Sequence, residues 1–197
     1  VLLDQFREDA EKNGIHTLRI EAPESKSLPA LLAPELRKAL LRLSNIEKAK
    51  DMAIRALHGL AGFAKALKVK YNDIEVGLDY ESEKGLADNG DLEHDLMDLL
   101  EAVGRAAKSA GTALGLFVDE RQYVKEDELA ALVTALHRCA QQSLPVVLIG
   151  AGLPQLIGKM GKAKSYAERL FDFPIIGPLS EGEAGIAISR PAEREGA

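Results

Sequence analysis

The sequence predicts an α/β protein in which helices cover both faces of a parallel sheet. Three observations lead to this prediction. Helical patterns alternate with short strand patterns, and two of the strand patterns, ALGLFV and LPVVLIG, are apolar throughout. Such runs are typical of strands that are buried on both faces. The chain is 46% hydrophobic but only 5% aromatic, so aliphatic side chains must build most of the core.

Length and charge exclude several classes of protein. The 197 residues suit roughly one domain of about 100–200 residues. No apolar run approaches the ~18 residues of a membrane span, so we expect no membrane association. The net charge of -6 does not indicate a nucleic-acid partner and leaves only a local basic patch for such binding. A lone cysteine, Cys139, forms no internal disulfide and no zinc cluster, which favours the cytoplasm.

The first third of the chain is predicted to contain three helices and a strand. VLLDQFREDAEK has helical spacing and stops at Asn13-Gly14, and we expect this helix to begin before Val1. IHTLRIEA, residues 15–22, alternates as a strand does. Residues 29–66 are rich in Ala, Leu and Lys and divide into two helices near Ser44-Asn45. Ser44 with Glu47 forms the pattern of a capping box for the second helix.

An insertion and a long helix are predicted next. LKVKYNDIEVGLDY alternates on both sides of Asn72-Asp73, which favours a β-hairpin insertion over residues 67–80. Asp91 is a suitable N-cap for an amphipathic helix through Ala110, and Gly111 is a suitable terminator.

The remaining elements alternate strand and helix. ALGLFVDE is predicted to be a buried strand, followed by a helix at 126–142 and a second apolar strand in LPVVLIGAG. A helix around 161–171 and an extended DFPIIGPL come next. Ser180 and Glu183 form a capping box for a last helix, which contains helix-weakening glycines and a proline.

Asp119 and Glu120 are the candidate chemical groups. They end a buried strand, and open parallel sheets bind their ligands at the carboxyl ends of their strands. Adjacent strand residues point to opposite sides, so the two carboxylates have different roles. In a nucleoside triphosphatase the first would hold Mg²⁺, largely through water, and the second would orient the attacking water. The alternative is that the pair caps the following helix.

Three blocks resemble the AAA+ ATPases, in the branch close to origin-recognition and STAND-type ATPases. LFVDERQY (116–123) resembles the Walker B strand, and LPVVLIGAGLPQL (144–156) resembles the sensor 1 strand. SYAERLFDFPIIGPLS (165–180) resembles the arginine-finger region with the last strand. The resemblance implies a three-layer P-loop NTPase-like fold, with ATP as ligand and Mg²⁺ as its metal.

The resemblance also implies roles for individual residues. Asp119 matches the Mg²⁺-associated aspartate, and Glu120 matches the catalytic glutamate. Arg169 matches the arginine that reaches a nucleotide held by a neighbouring subunit, although a salt bridge to Glu168 or Asp172 is the alternative. At sensor 1 the usual polar residue is replaced by Ile149-Gly150-Ala151-Gly152. Only backbone groups there, such as those of Gly150, or the nearby Gln155 would then touch a γ-phosphate.

The family's phosphate-binding loop, GxxxxGK[ST], is not among these residues. VLLDQF resembles the residues that follow that loop, so we expect residues 1–179 to be an ATPase core that lacks it and 180–197 to begin a helical lid. We also expect the strand before that loop to lie centrally in the family's sheet. Tight ATP binding and hydrolysis by these residues alone are therefore not expected.

Two functions from different classes fit these expectations. In the first, the protein binds ATP and hydrolyses it to ADP as a nucleotide-driven switch, and it works as a homo-oligomer or on a partner protein. In the second, it is a non-hydrolysing nucleotide-sensing or protein-interaction scaffold. Measured turnover separates the two. A plain DNA-binding module is disfavoured, because the chain is acidic and shows no winged-helix or basic face.

Overall fold

Seven helices and three strands are defined in the part of the chain that the structure describes. The structure is a computed structural model, and it describes residues 2–21, 26–68, 74, 80–119, 124–152, 158, 161–162 and 167–194. The elements are α1 (Leu2–Lys12), β1 (His16–Glu21), α2 (Leu28–Ser44), α3 (Lys50–Leu67), α4 (Leu92–Ala110), β2 (Leu114–Asp119), α5 (Glu126–Gln141), β3 (Val146–Gly150), α6 (Ala167–Leu170) and α7 (Glu181–Arg194).

The three strands form one open parallel sheet in the order β1-β2-β3. The first pair runs in register from His16 beside Leu114 to Glu21 beside Asp119. Each strand is joined to its neighbour through helices, as parallel pairing requires. The prediction of a mixed α/β fold with a parallel sheet flanked by helices is confirmed. Because β2 is the central strand, Asp119 lies at the middle of the sheet's carboxyl edge.

Helices cover the sheet on both faces. Successive strand residues point to opposite faces. Leu18 and Ile20 of β1 and Leu116 of β2 belong to the core cluster that also contains the buried residues of α2 to α5. On the other face, Thr17 donates a hydrogen bond to Glu11 of α1, and Arg19 pairs with Asp4 of the same helix. The sheet is therefore the middle of three layers.

The core between the sheet and α2–α5 is aliphatic, as the composition predicts. Consecutive helices pack on one another from α2 to α5, while α2 contacts β1 and α5 contacts β3. Phe63 is the largest side chain of this cluster and is fully buried. The other members of the cluster are mostly aliphatic, among them Leu36, Leu40, Leu57, Leu60, Leu96, Leu99, Leu100 and Val103.

Most helix ends follow from local sequence. Asp91 accepts a hydrogen bond from the backbone N–H of His94 at 2.9 Å, and Gly111 closes α4 with a φ of 72°. Both features confirm the predicted limits of this helix. The capping box at Ser180 is also confirmed, since Glu183 accepts a bond from the Ser180 backbone at 2.9 Å. The segment 171–180 has no regular secondary structure, and the extended conformation of DFPIIGPL stays a prediction.

Two predictions in the helical region need correction. The capping box of Ser44 and Glu47 is wrong, because α3 begins later, with Ala49 at its N-cap. The Ser44 hydroxyl instead donates to the carbonyl of Leu41 in the preceding helix, at 2.9 Å. Helix α3 also continues to Leu67, the first residue of the predicted hairpin 67–80. Most of that hairpin lies outside the described residues.

The second apolar strand is less buried than its composition predicts. β2 is buried along its length, but β3 is partly exposed, and the Val147 side chain is 46% exposed. The reason is position, because β3 pairs with β2 on one side only among the described residues. The division into a core, 1–179, and the beginning of a lid, 180–197, stays a prediction.

Candidate functional site

The carboxyl edge of the sheet holds Asp119. It is the last residue of β2 and is partly buried, while the five residues before it are buried. Its neighbour across the ladder is Glu21, which ends β1. Two acidic residues therefore stand side by side where two parallel strands end. Adjacent strands are about 4.8 Å apart, so both carboxylates contribute to the potential at this edge.

Arg19 balances part of this negative charge. Its guanidinium lies 2.6 Å from Glu21, and its second terminal nitrogen lies 3.6 Å from Asp4 in the first turn of α1. The arginine therefore ties the beginning of α1 to the edge that carries Asp119. Sequence reasoning missed both Arg19 and Glu21. Their only signal is that two predicted strands end in acidic residues, since the register between the strands cannot be read from either strand alone.

Glu128 links two of the helices that follow the strands of this sheet. It is 1% exposed, and its carboxylate accepts a hydrogen bond from the backbone N–H of Leu28 at 2.9 Å. This bond joins the first turn of α5 to the first turn of α2. The helix that follows β1 and the helix that follows β2 are thereby joined at their first turns. The sequence signal was the acidic first turn of α5, Glu126, Asp127 and Glu128.

The predicted sensor 1 position lies at the same edge as Asp119. Gly150 is the last residue of β3, is exposed, and stands beside Val118 of β2. The ladder extends by one more bond, from the Ala151 N–H to the Val118 carbonyl at 3.0 Å. Gly150 therefore offers backbone groups alone. Glu120 and Gln155, the other predicted residues of this edge, lie outside the described residues.

Arg169 is an exposed residue of the short helix α6. Within the part of the chain that the structure describes, it forms no ion pair with Asp172, so that alternative is not realised. The side chain of Glu168 lies outside the description. An exposed guanidinium is what a contact with another subunit requires, although exposure alone does not identify one.

The donor chemistry of Asp119 fits Mg²⁺. Carboxylate oxygens are the ligands that Mg²⁺ prefers, and this ion commonly keeps several waters and takes only one or two protein carboxylates. Among the described residues, no group of three or more His, Cys, Asp or Glu side chains could hold a metal by itself. This donor chemistry would suit a single aspartate that holds the ion largely through water.

A second polar cluster lies between α4 and α5, away from this edge. Glu101 accepts hydrogen bonds from Arg105 at 2.6 Å, from Arg138 at 3.4 Å and from Gln142 at 2.5 Å. Burial raises the pKa of Glu101, but these donors and the two arginine charges outweigh that effect and hold its pKa below the ordinary value. The cluster is a link between helices, because each of its charges has an opposite partner.

Comparisons of this chain with protein-family models, with curated proteins and with solved structures find no match. In the described ranges, no helix is both long enough and apolar enough to cross a membrane.

Proposed function

We propose that this chain is the core of an AAA+-type ATPase, with a P-loop NTPase-like fold, that acts in the cytoplasm as a nucleotide-driven switch. The observation that carries the proposal is the position of Asp119. A carboxylate stands at the carboxyl end of the buried central strand of a parallel sheet, where open α/β folds bind ligands. The three blocks that resemble the family add the identity of the ligand, ATP with Mg²⁺.

The mechanism needs no nucleophile from the protein. Bound Mg²⁺ would neutralise charge on the phosphate oxygens, and Asp119 would hold its water shell. Glu120, the next residue in the sequence, would orient and deprotonate the attacking water. Arg169 would supply positive charge to a nucleotide bound by a neighbouring subunit. The GxxxxGK[ST] loop is not among these 197 residues, so the proposal assigns them the hydrolytic groups and not the phosphate cradle.

Phosphate release from Mg²⁺-ATP by the protein that contains this chain tests the proposal. Glu120→Gln should keep nucleotide binding and lower turnover by about 10²–10⁴-fold, the usual contribution of a general base. Asp119→Asn should weaken the dependence on Mg²⁺ concentration. Asp127→Asn is the matched control, because Asp127 is an exposed acid of the nearby α5 and should leave turnover unchanged. Wild-type turnover in Glu120→Gln would remove Glu120 from the mechanism.

One observation favours the second function, a nucleotide-sensing scaffold that does not hydrolyse ATP. The residue at the predicted sensor 1 position, Gly150, has no side chain with which to position a water or a γ-phosphate. The two functions differ in one measurement. Saturable nucleotide binding without phosphate release, in the wild-type protein, would select the scaffold that signals to a protein partner. Release that depends on Glu120 would select the ATPase.

A further inference from the structure

A groove of about 380 Å³ lies at the surface between α3 and α4. Met52 and Arg55 of α3 line one part of it, and Asp98 and Ala102 of α4 line another. Leu86, from the loop before α4, also belongs to the lining. Pockets that bind small molecules commonly have volumes of roughly 300–1,000 Å³ and combine apolar walls with a few polar groups. This groove has the size and the mixed lining of such a site.

The apolar part of the groove consists of Met52, Leu86 and Ala102. Leu86 lies close against α3, because a Cβ added at Gly59 would come within 2.9 Å of its side chain. Met52 is 49% exposed, and Ala102 is half-buried. An aliphatic ligand that covers these three side chains therefore removes apolar surface from water, which favours its binding.

The two arginines of the lining already have acidic partners. Arg55 forms an ion pair with Glu83 at 3.1 Å, and Arg105 forms one with Glu101 at 2.6 Å. Arg105 also donates a hydrogen bond to Gln142 at 2.9 Å. An anionic ligand would have to compete with carboxylates that already accept from these guanidinium groups. The groove is therefore poorly suited to an anion.

Asp98 differs from Glu101, the other acidic residue of the lining. Asp98 forms no ion pair in the described part of the chain, and its side chain is half-buried. Burial raises the pKa of this carboxyl above its ordinary value. The charges of Glu101 and Asp95 act in the same direction, and the opposing charge of His94 does not reverse the shift. A bound cation would offset this penalty, because an opposite charge favours the ionised carboxylate.

The spacing along α4 favours a ligand with one positive charge. Asp98 and Ala102 are four residues apart, so they lie on the same face of the helix, one turn from each other. Arg105 lies seven residues beyond Asp98, which corresponds to about 10.5 Å along the helix axis. An aliphatic chain that begins at Asp98 and passes Ala102 therefore runs toward the positive charge of Arg105. A second ammonium group at that end of the ligand would be repelled.

We propose that this groove binds a small organic monocation, a primary ammonium group on an aliphatic chain. The ammonium group has three N–H donors and pairs with the carboxylate of Asp98. The chain covers the apolar side chains of Met52, Leu86 and Ala102. Charge complementarity selects this class of ligand, because Asp98 supplies a negative charge that no described residue pairs with. This inference goes beyond the proposed function, since it concerns α3 and α4 and not Asp119.

Isothermal titration calorimetry with n-hexylammonium chloride tests the site in the protein that contains this chain. We expect a dissociation constant of about 1 mM at low salt, as suits a ligand with few atoms. Asp98→Asn should weaken binding at least tenfold, because the side chain keeps its size and loses its charge. Asp127→Asn makes the same change of charge at an exposed position of α5 and is the matched control, with an expected effect below about twofold. Undetectable binding, or binding that Asp98→Asn leaves unchanged, would overturn the proposal.

Analogues of the probe separate its charge from its chain. n-Hexanol and hexanoate have the same chain without the positive charge, and both should bind at least tenfold more weakly than n-hexylammonium. Methylammonium lacks the chain and should also bind more weakly. The hexamethylene diammonium ion should bind no better than n-hexylammonium, because its second charge meets Arg105. Hexanol or hexanoate that binds as tightly as the ammonium would contradict the role of Asp98.

The methyl NMR signal of Met52 shows where the probe binds. We expect this signal to shift during the titration with n-hexylammonium, because the chain of the ligand contacts Met52. The same concentrations should leave the signal in place in Asp98→Asn. Binding that does not move the Met52 signal would lie outside the groove and would contradict the proposal.

Discussion

The chemistry of Cys139 is determined by its burial. The thiol is fully enclosed among core residues of α5, and this burial, with a smaller contribution from the charge of Glu101, raises its pKa to about 12. Since the thiolate is the reactive form, the native protein should react with iodoacetamide or a disulfide reagent only when it opens. Alkylation at about pH 8 should therefore be slow and should accelerate in urea with the unfolding transition. Fast alkylation of the folded chain would contradict this placement.

Glu101 gives a prediction with a defined direction in pH. Its pKa is held below the ordinary value of about 4.3, so the carboxylate stabilises the folded state above that pH and stops doing so as the pH falls through the lowered pKa. Glu101→Gln should lower the free energy of unfolding by about 1 kcal/mol at neutral pH, since the pairs are partly exposed. Urea titrations should show the difference shrinking toward about pH 3.

The control for Glu101 is a glutamate of similar exposure that has a local partner on its own helix. Glu35 pairs with Lys38 one turn along α2, and its replacement by Gln should change stability by a few tenths of a kcal/mol at any pH. A pH-independent loss in Glu101→Gln would mean that the amide disrupts packing, and the electrostatic account would then be wrong.

At the residue scale, sequence reasoning located Asp119 but not its surroundings. A run of apolar residues that ends in a carboxylate is visible in one segment, so position and burial could both be predicted. Glu21, Arg19 and Glu128 act through partners in other segments. Their roles depend on register and on helix packing, which no local pattern contains.

Two glycines in α3 allow the loop that leads into α4 to pack closely against this helix. A Cβ at Gly62 would lie 2.9 Å from the backbone carbonyl oxygen of Leu86, and a Cβ at Gly59 would lie 2.9 Å from the Leu86 side chain. A side chain can move, but a backbone held by neighbouring bonds cannot move as easily. Asp95 provides such bonds, because its buried carboxylate accepts from the N–H groups of Asn89 and Gly90.

Gly62→Ala should therefore destabilise the protein by about 1–3 kcal/mol, the usual cost of overpacking, despite alanine's higher helix propensity. The matched control is Gly185→Ala in α7, where nothing lies within 4 Å of the added Cβ. That change should leave the melting temperature unchanged or raise it slightly. Differential scanning calorimetry of both variants checks the pair, and equal behaviour would contradict the close approach of the loop.

At the element scale, the ends of a helix could be predicted where the residues of that one segment determine them. The ends of α4 follow from Asp91 and Gly111, because the capping ability of these residue types does not depend on the rest of the fold. Prediction failed at Ser44, because its hydroxyl bonds back into α2 and a turn of several residues separates the two helices. A capping residue can serve the helix before it or after it, and packing decides between them.

For the whole molecule, the exposure of Arg169 leads to a test of a site shared between subunits. In the protein that contains this chain, Arg169→Ala should lower ATP turnover by about 10³-fold or more, the usual effect of losing such an arginine. Mixing it with inactive Glu120→Gln protein should restore part of the turnover, because one mixed interface contains both wild-type groups. Arg190→Ala, at an exposed arginine of α7, is the control and should stay active. Mixtures without any recovery would exclude a shared site.

The parallel sheet and its helical layers could be predicted because alternation of elements is a global pattern carried by many residues. The exposure of β3 could not be predicted in this way. Its sequence is as apolar as that of β2, and the two strands differ in burial because, among the described residues, β2 has a neighbouring strand on each side and β3 has one on a single side. Burial of a strand is a property of its sheet, not of its residues alone.

The order of the strands in the sheet is also the order in which a ribosome would make them. Each new strand joins the free side of the one before it, after its connecting helices have been made. A chain that grows from its N-terminus can thus add the three described strands one at a time, and none of the three has to be inserted into a ladder that has already formed. Of the three described strands, β3 is in these terms the last to join the sheet.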